Sequence, residues 1–184
     1  MESIKKIYKR GYGPSSSHTM GPHKAAVMFK EQTPGATRYR VTLYGSLAAT
    51  GKGHHTDMAI RRGLEPSEVE IVWRADIVKP FHPNGMLFEA LDGKGDTIKD
   101  FEVYSIGGGD LATVEGRLPL DTSASDGEVY LHNTMKEIDE YISQQGLSFW
   151  EYVEQHEDGS LWDYLAEMWQ QMQLTVEEGL QNDR

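Results

Sequence analysis

Gly13-Pro14-Ser15-Ser16-Ser17-His18-Thr19-Met20-Gly21-Pro22-His23-Lys24-Ala25-Ala26 is the stretch around which the chain is organised. Pro22 favours the first turn of a helix, because proline lacks an N–H group that would be unpaired there. We therefore predict a helix from about Gly21 to Lys30, with Ser17 to Met20 at or just outside its N-terminus. Such an end has free N–H groups and a positive partial charge, so adjacent hydroxyls predict a seat for a small carboxylate or phosphate. The alternative is that these polar residues are only helix caps.

The composition limits the classes of function. The chain has 184 residues, a formal net charge of −11 and no cysteine. No apolar run is long enough to span a membrane, and the N-terminus lacks the apolar core of a secretory signal, so we expect a soluble cytoplasmic protein without a membrane partner. The negative charge argues against a nucleic-acid partner. Without cysteine, this polypeptide forms no disulfide and offers no thiolate ligand to zinc or an iron–sulfur cluster.

Apolar periodicity predicts an α+β fold, with a single mixed sheet packed with helices and followed by a C-terminal amphipathic helix. Strands are predicted at residues 38–47, 68–75, 86–91 and 97–106, the last two forming a hairpin. Further helices are predicted at residues 56–62, closed by Gly63 as a C-cap, and at residues 133–145 and 148–157. Residues 118–127 read as turn-like. The triplet Gly107-Gly108-Gly109 either admits a ligand or another backbone, or only forms a bend.

The tail differs from the rest of the chain. From Ser160 onward, apolar residues recur at helical spacing and predict a helix of four to five turns. The members of this stripe are Leu161, Leu165, Met168, Met172 and Val176, and Trp162 and Trp169 widen it. Either this helix docks on its own domain, or it packs against a partner chain or a following domain.

Five of the seven histidines lie in or beside three loops rich in glycine and proline: His18, His23, His54, His55 and His82. Histidine suits general acid–base work, because its pKa lies near neutrality. The loop from Gly45 to Asp57 is not a phosphate-binding P-loop, because five residues separate Gly45 from Gly51-Lys52. His54, His55 and Asp57 are alternative metal ligands, although adjacent histidines on a turn rarely point the same way. The residues alone therefore predict an anion site near a candidate base.

Three motifs together resemble the β domain of the bacterial iron–sulfur L-serine dehydratases. They are residues 13–22, then Tyr44-Gly45-Ser46-Leu47-Ala48-Ala49-Thr50-Gly51-Lys52-Gly53-His54 with Thr56-Asp57, then Ser105-Ile106-Gly107-Gly108-Gly109. Their order and spacing also fit, and the resemblance runs from about Lys6 to His156. It implies that residues 1–157 are the β domain. Residues 158–184 would be the linker and first helix of the α domain.

The resemblance implies a lyase of amino-acid catabolism and gluconeogenesis, an L-serine ammonia-lyase that converts L-serine to pyruvate and ammonia by β-elimination. In this family a [4Fe–4S] cluster on the α domain acts as the Lewis acid for the leaving hydroxyl. The partners expected are L-serine, an α domain or α chain, and further copies of the same chain in a homo-oligomer. Because the cluster's cysteines belong to the α domain, we expect this chain alone to be inactive.

The family motifs also imply roles for particular residues. His54 becomes the candidate general base at Cα, Ser16, Ser17, His18 and Thr19 the carboxylate site, and Thr56 and Asn84 further substrate contacts. The family usually has glycine after this histidine, whereas this chain has His55, which is therefore a competing base.

Two other classes of function stay open. A similar domain serves as a regulatory anion-binding module in some phosphoglycerate dehydrogenases, although the glycine fingerprint of their dinucleotide-binding domain is absent from this chain. A metal hydrolase built on His54, His55 and Asp57 is the third class.

Overall fold

The computed structural model describes residues 1–118 and 127–181, which form two compact units. One unit consists of residues 10–118, and the other combines residues 1–9 with residues 127–181. The turn predicted for residues 118–127 lies almost wholly outside the described residues. The predicted boundary between residues 157 and 158 concerns the domains of a longer enzyme and stays a prediction.

The first unit contains one mixed six-stranded sheet, as predicted. Its strands are β1 (Arg38–Tyr44), β2 (Glu68–Arg74), β3 (Gly85–Leu91), β4 (Thr97–Gly107), β5 (Asp110–Thr113) and β6 (Gly116–Arg117), in the spatial order β2-β1-β3-β4-β5-β6. β1 and β2 are parallel, and every other pair is antiparallel. The end of β1, the start of β3 and the end of β4 therefore lie at the same edge of the sheet.

Three helices of this unit pack on the sheet: α1 (Gly21–Glu31), α2 (Gly45–Thr50) and α3 (Thr56–Leu64). The alternation in β1 buries Tyr39, Val41 and Leu43 as predicted, each at most 1% exposed. Phe29 of α1 is fully buried against the rings of Tyr39, Phe88 and Phe101. This apolar core fixes the helices over the sheet edge at which β1 ends.

The prediction that the first strand continues to Leu47 is wrong, because β1 ends at Tyr44 and α2 begins at Gly45. Gly45 has a φ of +48°, and a Cβ atom there would lie 2.6 Å from the carbonyl oxygen of Pro83. Glycine therefore permits a sharp turn from strand to helix. Leu47 is fully buried in the helix, so its apolar character did not distinguish between the two structures.

Gly63 does not cap α3 as predicted but lies inside it, where α3 crosses α1. An added Cβ would lie 2.7 Å from Cβ of Ala26 and 2.9 Å from the carbonyl oxygen of His23. Position 63 is thus glycine because α1 and α3 approach each other closely there. In the sequence alone, a glycine near the end of a helical pattern is easily taken for a C-cap.

We expect Gly63→Ala to lower the free energy of unfolding by about 1–3 kcal/mol, because the methyl group overpacks the contact between α1 and α3. Gly179→Ala is the matched control, since Gly179 is also helical and has nothing within 4 Å of an added Cβ. The control should be neutral or slightly stabilising, because alanine favours helix more than glycine does. Urea denaturation of the three proteins measures both changes. Equal stability of the two variants would contradict the proposed overpacking.

The triplet Gly107-Gly108-Gly109 forms a bend. All three residues have positive φ, and Gly108 and Gly109 connect β4 to β5, whose pairing begins with Gly107 opposite Asp110. Two central residues with positive φ are what a tight two-residue hairpin requires.

The second unit contains α4 (Met135–Gln145), α5 (Phe149–His156), α6 (Leu161–Gln181) and a short 3₁₀ helix (Ile4–Ile7). The helix predicted at residues 133–145 is capped at both ends, since Thr134 and Glu137 form a capping box and Gly146 is left-handed. A small core forms from Tyr130, Ile138, Ile142 and Tyr152, packed against Ile4 and neighbouring apolar residues. None of the helices in the described ranges is long and apolar enough to cross a membrane.

The tail helix α6 has 21 residues, more than the predicted four to five turns provide. Its first half is docked, because Leu161 and Met168 are buried and the hydroxyl of Tyr164 donates to the carbonyl oxygens of Lys5 and Tyr8. Its second half exposes apolar side chains: Trp169, Met172, Leu174, Val176 and Leu180.

Candidate functional site

The first two sequence motifs meet above the sheet edge at which β1 ends. Residues 16–20 form a π-helical turn that runs directly into α1, so the helical segment begins at Ser16 and not at Gly21 as predicted. Ser15 caps this turn. Its carbonyl oxygen accepts from the N–H groups of Thr19 and Met20, and its hydroxyl oxygen accepts from the N–H group of His18. The N–H groups of Ser16 and Ser17 point from the first turn of this run and have no helical partner.

Pro22 therefore lies within a continuous helical run. In an α-helix the residue at position 22 would donate its N–H group to the carbonyl oxygen of His18, four residues earlier. Proline has no N–H group, so this carbonyl is free to accept another donor. The hydroxyl of Thr56 donates to this carbonyl oxygen of His18 at 2.6 Å.

A second hydroxyl makes the reciprocal connection. Thr19 donates from Oγ1 to the carbonyl oxygen of His54 at 2.9 Å. Thr19 is 1% exposed and Thr56 is fully buried. Both residues belong to the predicted substrate site, and the structure places their hydroxyls between the two loops, where each holds the backbone of a histidine.

These two bonds accompany a close pair of histidine rings. The ring centroids of His18 and His54 are 4.9 Å apart. Nδ1 of His54 lies 3.0 Å from the carbonyl oxygen of Thr50. Because a carbonyl only accepts, Nδ1 carries the hydrogen, and Nε2 of neutral His54 is left with a free lone pair. His54 is half-buried, which suits a group that exchanges a proton with a small ligand.

His18 has hydroxyls at both ring nitrogens. Oγ of Ser17 lies 3.0 Å from Nδ1, and Oγ of Ser46 lies 3.4 Å from Nε2. Burial lowers the pKa of His18, and the neighbouring His54 lowers it further, while Ser46 opposes the shift. Ser46 and Ser15 are contacts that the sequence analysis did not assign. Their position beside predicted site residues was the only signal available for them.

We expect the lowered pKa of His18 to make stability depend on pH. The unfolded chain takes up the proton first as the pH falls, so the stabilisation is present above about pH 6.5, the ordinary pKa of histidine. It is lost as the pH falls through the folded-state pKa. His18→Asn should therefore flatten the decline of the unfolding free energy between about pH 7 and pH 5.

Thermal unfolding of the parent and the variant across that range measures the effect. His23 also has a pKa lowered by burial and by Arg62, so part of the decline should persist in His18→Asn and disappear in the double variant His18→Asn/His23→Asn. Parallel profiles for the parent and both variants would contradict this assignment.

His55 occupies a different environment from His54. It has a φ of 56° and is the residue before α3, and its side chain is exposed. Left-handed backbone explains why glycine suits this position, and histidine is among the residues that tolerate it. Within residues 1–118 and 127–181, no group of three His, Cys, Asp or Glu side chains is placed to hold a metal ion. The metal-hydrolase hypothesis therefore gains no support from this arrangement.

Asn84 immediately precedes β3, on the same sheet edge. Its Nδ2 donates to the carbonyl oxygen of Ser105 at 3.2 Å, and its own N–H group donates to Nδ1 of His82 at 3.2 Å. The preceding carbonyl, that of Pro83, accepts from the N–H group of Ser46 at 3.1 Å. The structure thus brings Asn84 to the neighbourhood of the residue that contacts His18.

The loop that carries Asn84 is attached to the opposite face of the sheet. Lys79 pairs with Glu102 and lies 4.5 Å over the ring of Tyr44, and Phe81 packs on the ring of Tyr104. Burial opposes the charge on Glu102, but hydrogen bonds from Lys79 and Tyr104 outweigh it and lower its pKa. Burial together with this carboxylate raises the pKa of Tyr104 to about 12.

Comparison with known proteins gives one family and a consistent set of relatives. The family model described as serine dehydratase beta chain matches residues 3–72 and 65–115. The chain is 30% identical to L-serine dehydratase 1 and 32% identical to L-serine dehydratase 2 of Escherichia coli K12, in each case over 100% of this chain and 50% of the relative. It is 32% identical to the L-serine dehydratase of Helicobacter pylori 26695, over 85% of this chain and 43% of the relative. The chain thus spans about half the length of these curated relatives.

Proposed function

Because the chain belongs to the serine dehydratase beta chain family, we propose that it is the substrate-binding part of an L-serine dehydratase. The reaction is β-elimination, in which L-serine loses its Cα proton and its hydroxyl, and the aminoacrylate hydrolyses to pyruvate and ammonia. The observation that carries the proposal is the pair His18 and His54, whose ring centroids are 4.9 Å apart and which belong to two of the three motifs that suggested the family. We place the complete enzyme in the cytoplasm and expect it to be a homo-oligomer.

His54 is the proposed general base at Cα. The contact with Thr50 directs the hydrogen to Nδ1, so Nε2 is the atom that would take the proton. His55 stays the competing base, but its exposed side chain lacks the neighbouring imidazole that His54 has in His18. Removing a general base costs typically 10²-fold to 10⁴-fold in rate, so the two residues are distinguishable by substitution.

The carboxylate of L-serine is assigned to the start of the helical run. The N–H groups of Ser16 and Ser17 suit a carboxylate there, with the hydroxyl of Ser17 and the ring of His18 beside them. Thr19 and Thr56 support this site without contacting the substrate through their hydroxyls, because those hydroxyls donate to backbone carbonyls. Asn84 completes the proposed set of substrate contacts.

The [4Fe–4S] cluster proposed for the complete enzyme does not fit this chain. Thiolates are the usual ligands of such a cluster, and the chain has no cysteine. Its ligands would therefore come from the other half of the enzyme, an α domain or α chain. Because substrate binding and the cluster would belong to different halves, we expect the 184 residues alone to bind substrate but not to convert it.

The second half of α6 is the proposed contact with that other half. Trp169, Met172, Val176 and Leu180 recur at helical spacing and are 42–82% exposed. An apolar stripe of this kind on one helix indicates an interface. The relatives are about twice as long as this chain, which supports the other half of such an enzyme as the occupant.

We expect Val176→Asp to weaken association with the remainder of the enzyme by roughly 10-fold or more, because a buried unpaired carboxylate is costly. Gln170→Asp, on the polar side of the same helix, is the control and should associate like the parent. Analytical ultracentrifugation of the two halves, mixed at several concentrations, measures the difference. Equal association of both variants would remove this stripe from the interface.

The proposed function is tested by anaerobic incubation of L-serine with this chain, with the remainder of the enzyme loaded with iron and sulfide, and with both together. Only the mixture should form pyruvate. A mixture that associates but makes no pyruvate would favour a binding module without chemistry, of the kind found in some phosphoglycerate dehydrogenases.

A further inference from the structure

Two buried side-chain polar atoms have no hydrogen-bond partner within the described residues: Oδ1 of Asn84 and Oγ of Ser105. Buried polar atoms are normally paired, so each exception needs an explanation. Asn84 immediately precedes β3, Ser105 lies in β4, and the two residues contact each other. Ser105 donates its N–H group to the carbonyl oxygen of Asn84 at 3.1 Å, and Nδ2 of Asn84 donates back to the Ser105 oxygen.

Continuing the β3–β4 register one residue beyond the pair Gly85 and Tyr104 sets Asn84 opposite Ser105. Residues directly opposite each other on antiparallel strands project to the same face, with Cβ atoms roughly 4.5–5.5 Å apart. The bond from Nδ2 to the Ser105 carbonyl also fixes the amide, so that Oδ1 is the part of the side chain left to accept. The two side chains therefore project to the same side of the strands, and the unpaired oxygen of each can accept a hydrogen bond.

This pair borders the histidine site. Oγ of Ser105 would lie 2.3 Å from a Cβ on Gly21, so Ser105 faces the point at which the π-helical turn passes into α1. On the other side, Pro83 next to Asn84 binds the backbone of Ser46, whose hydroxyl contacts His18. Asn84 is half-buried, and its side chain thus connects the fully buried Ser105 to the surface beside the proposed carboxylate site.

We propose that Asn84 and Ser105 form an ammonium subsite for the α-amino group of the ligand. The inference rests on the proposed function and deepens it, since it assigns a second part of the substrate. The amide oxygen of Asn84 can only accept, so it disfavours a carboxylate but suits a group with three N–H donors, and the Ser105 hydroxyl can accept as well. Carboxylate and ammonium share one carbon atom in an α-amino acid, so two adjacent subsites of opposite character select that class. Both residues contact the ligand, Asn84 through Oδ1 and Ser105 through Oγ.

The test compares L-serine with 3-hydroxypropionate, which keeps the carboxylate and the hydroxyl but has hydrogen in place of the amino group. Both ligands are titrated into the ¹⁵N-labelled chain and followed by NMR. Both should shift the backbone amides of residues 16–19. Only L-serine should shift the side-chain amide of Asn84.

Ser105→Ala and Asn84→Leu should each weaken L-serine binding roughly 10-fold or more, the scale of a lost hydrogen bond to a charged group. Binding of 3-hydroxypropionate should not change. Ser67→Ala is the matched control, because its hydroxyl contacts Ala36 at the opposite end of β1. Ser105→Ala removes an unpaired hydroxyl, so its melting temperature should equal or exceed that of the parent, which shows that the variant is folded.

The proposed subsite is contradicted if L-serine fails to shift the Asn84 amide. It is also contradicted if Ser105→Ala and Asn84→Leu bind L-serine like the parent, which is expected if only water occupies the site between these two side chains. Equal weakening of both ligands also overturns it. Failure of the proposed function is a separate result, since an enzyme that makes no pyruvate leaves amino-acid selection by this chain intact.

Discussion

His54→Ala should slow anaerobic pyruvate formation by the completed enzyme roughly 10²-fold to 10⁴-fold, the range for loss of a general base. The reason is that Nε2 of His54 has a lone pair that can take the proton, whereas both ring nitrogens of His18 have hydroxyls beside them. The loss should appear in kcat more than in KM, because the carboxylate contacts of Ser16 and Ser17 stay in place.

Two further variants separate His54 from its neighbours. His55→Gly should keep most of the activity, because His55 is exposed and glycine suits its left-handed backbone. His55→Ala serves as the size-matched control for His54→Ala. If His55→Ala loses the activity and His54→Ala retains it, His55 is the base, and the contact between Nδ1 of His54 and Thr50 is only structural.

Thr56→Val should lower kcat roughly 10-fold to 100-fold although Thr56 is not expected to touch the reacting atoms. Valine has nearly the same shape but no hydroxyl, so the carbonyl oxygen of His18 loses its partner at 2.6 Å. Since an unpaired carbonyl costs about 1–3 kcal/mol, the backbone should move to regain a donor. A displacement of about 1 Å at a reacting group is enough for a loss of this size.

The controls for this prediction separate positioning from stability. Thr56→Ser keeps the hydroxyl and should recover most of kcat. Thr33→Val removes another buried hydroxyl that donates to a helix carbonyl, that of Phe29 at 2.7 Å, at the far end of α1. It should lose comparable stability without losing kcat. If both Thr→Val variants reduce kcat equally, the effect is one of stability, and the proposed role of Thr56 in placing His18 is wrong.

The strands could be predicted because their apolar alternation coincides with burial. Tyr39, Val41 and Leu43 alternate in the sequence and are almost completely buried, so one pattern determines both strand and face. The cap at Thr134 was equally accessible, since Thr134 and Glu137 have the spacing of a capping box. In both cases the interacting residues lie within one local element.

What escaped prediction depends on contacts between distant residues. Gly63 reads as a helix end in the sequence, and only the approach of Ala26 on another helix shows why it is glycine. The π-helical turn has no periodicity of its own over five residues, so Pro22 was taken as the beginning of the helix.

The candidate site shows the same limit. The motifs identified which residues gather there, including His18, His54 and Asn84. They did not show that Thr19 and Thr56 bind backbone carbonyls 35 and 38 residues away along the chain. Nor did they single out Ser105, whose unpaired hydroxyl is visible only when the strands beside it are in place.

The central claim, that His54 of this chain removes the Cα proton of L-serine, is tested most directly by the primary isotope effect on kcat/KM with L-serine deuterated at Cα. The completed parent enzyme and His54→Ala are compared under anaerobic conditions. We predict a larger isotope effect in the variant, because loss of the base slows proton removal and makes that step limiting. A slow variant whose isotope effect is no larger than the parent's would contradict the claim, since the substitution would then have impaired a step other than removal of the proton.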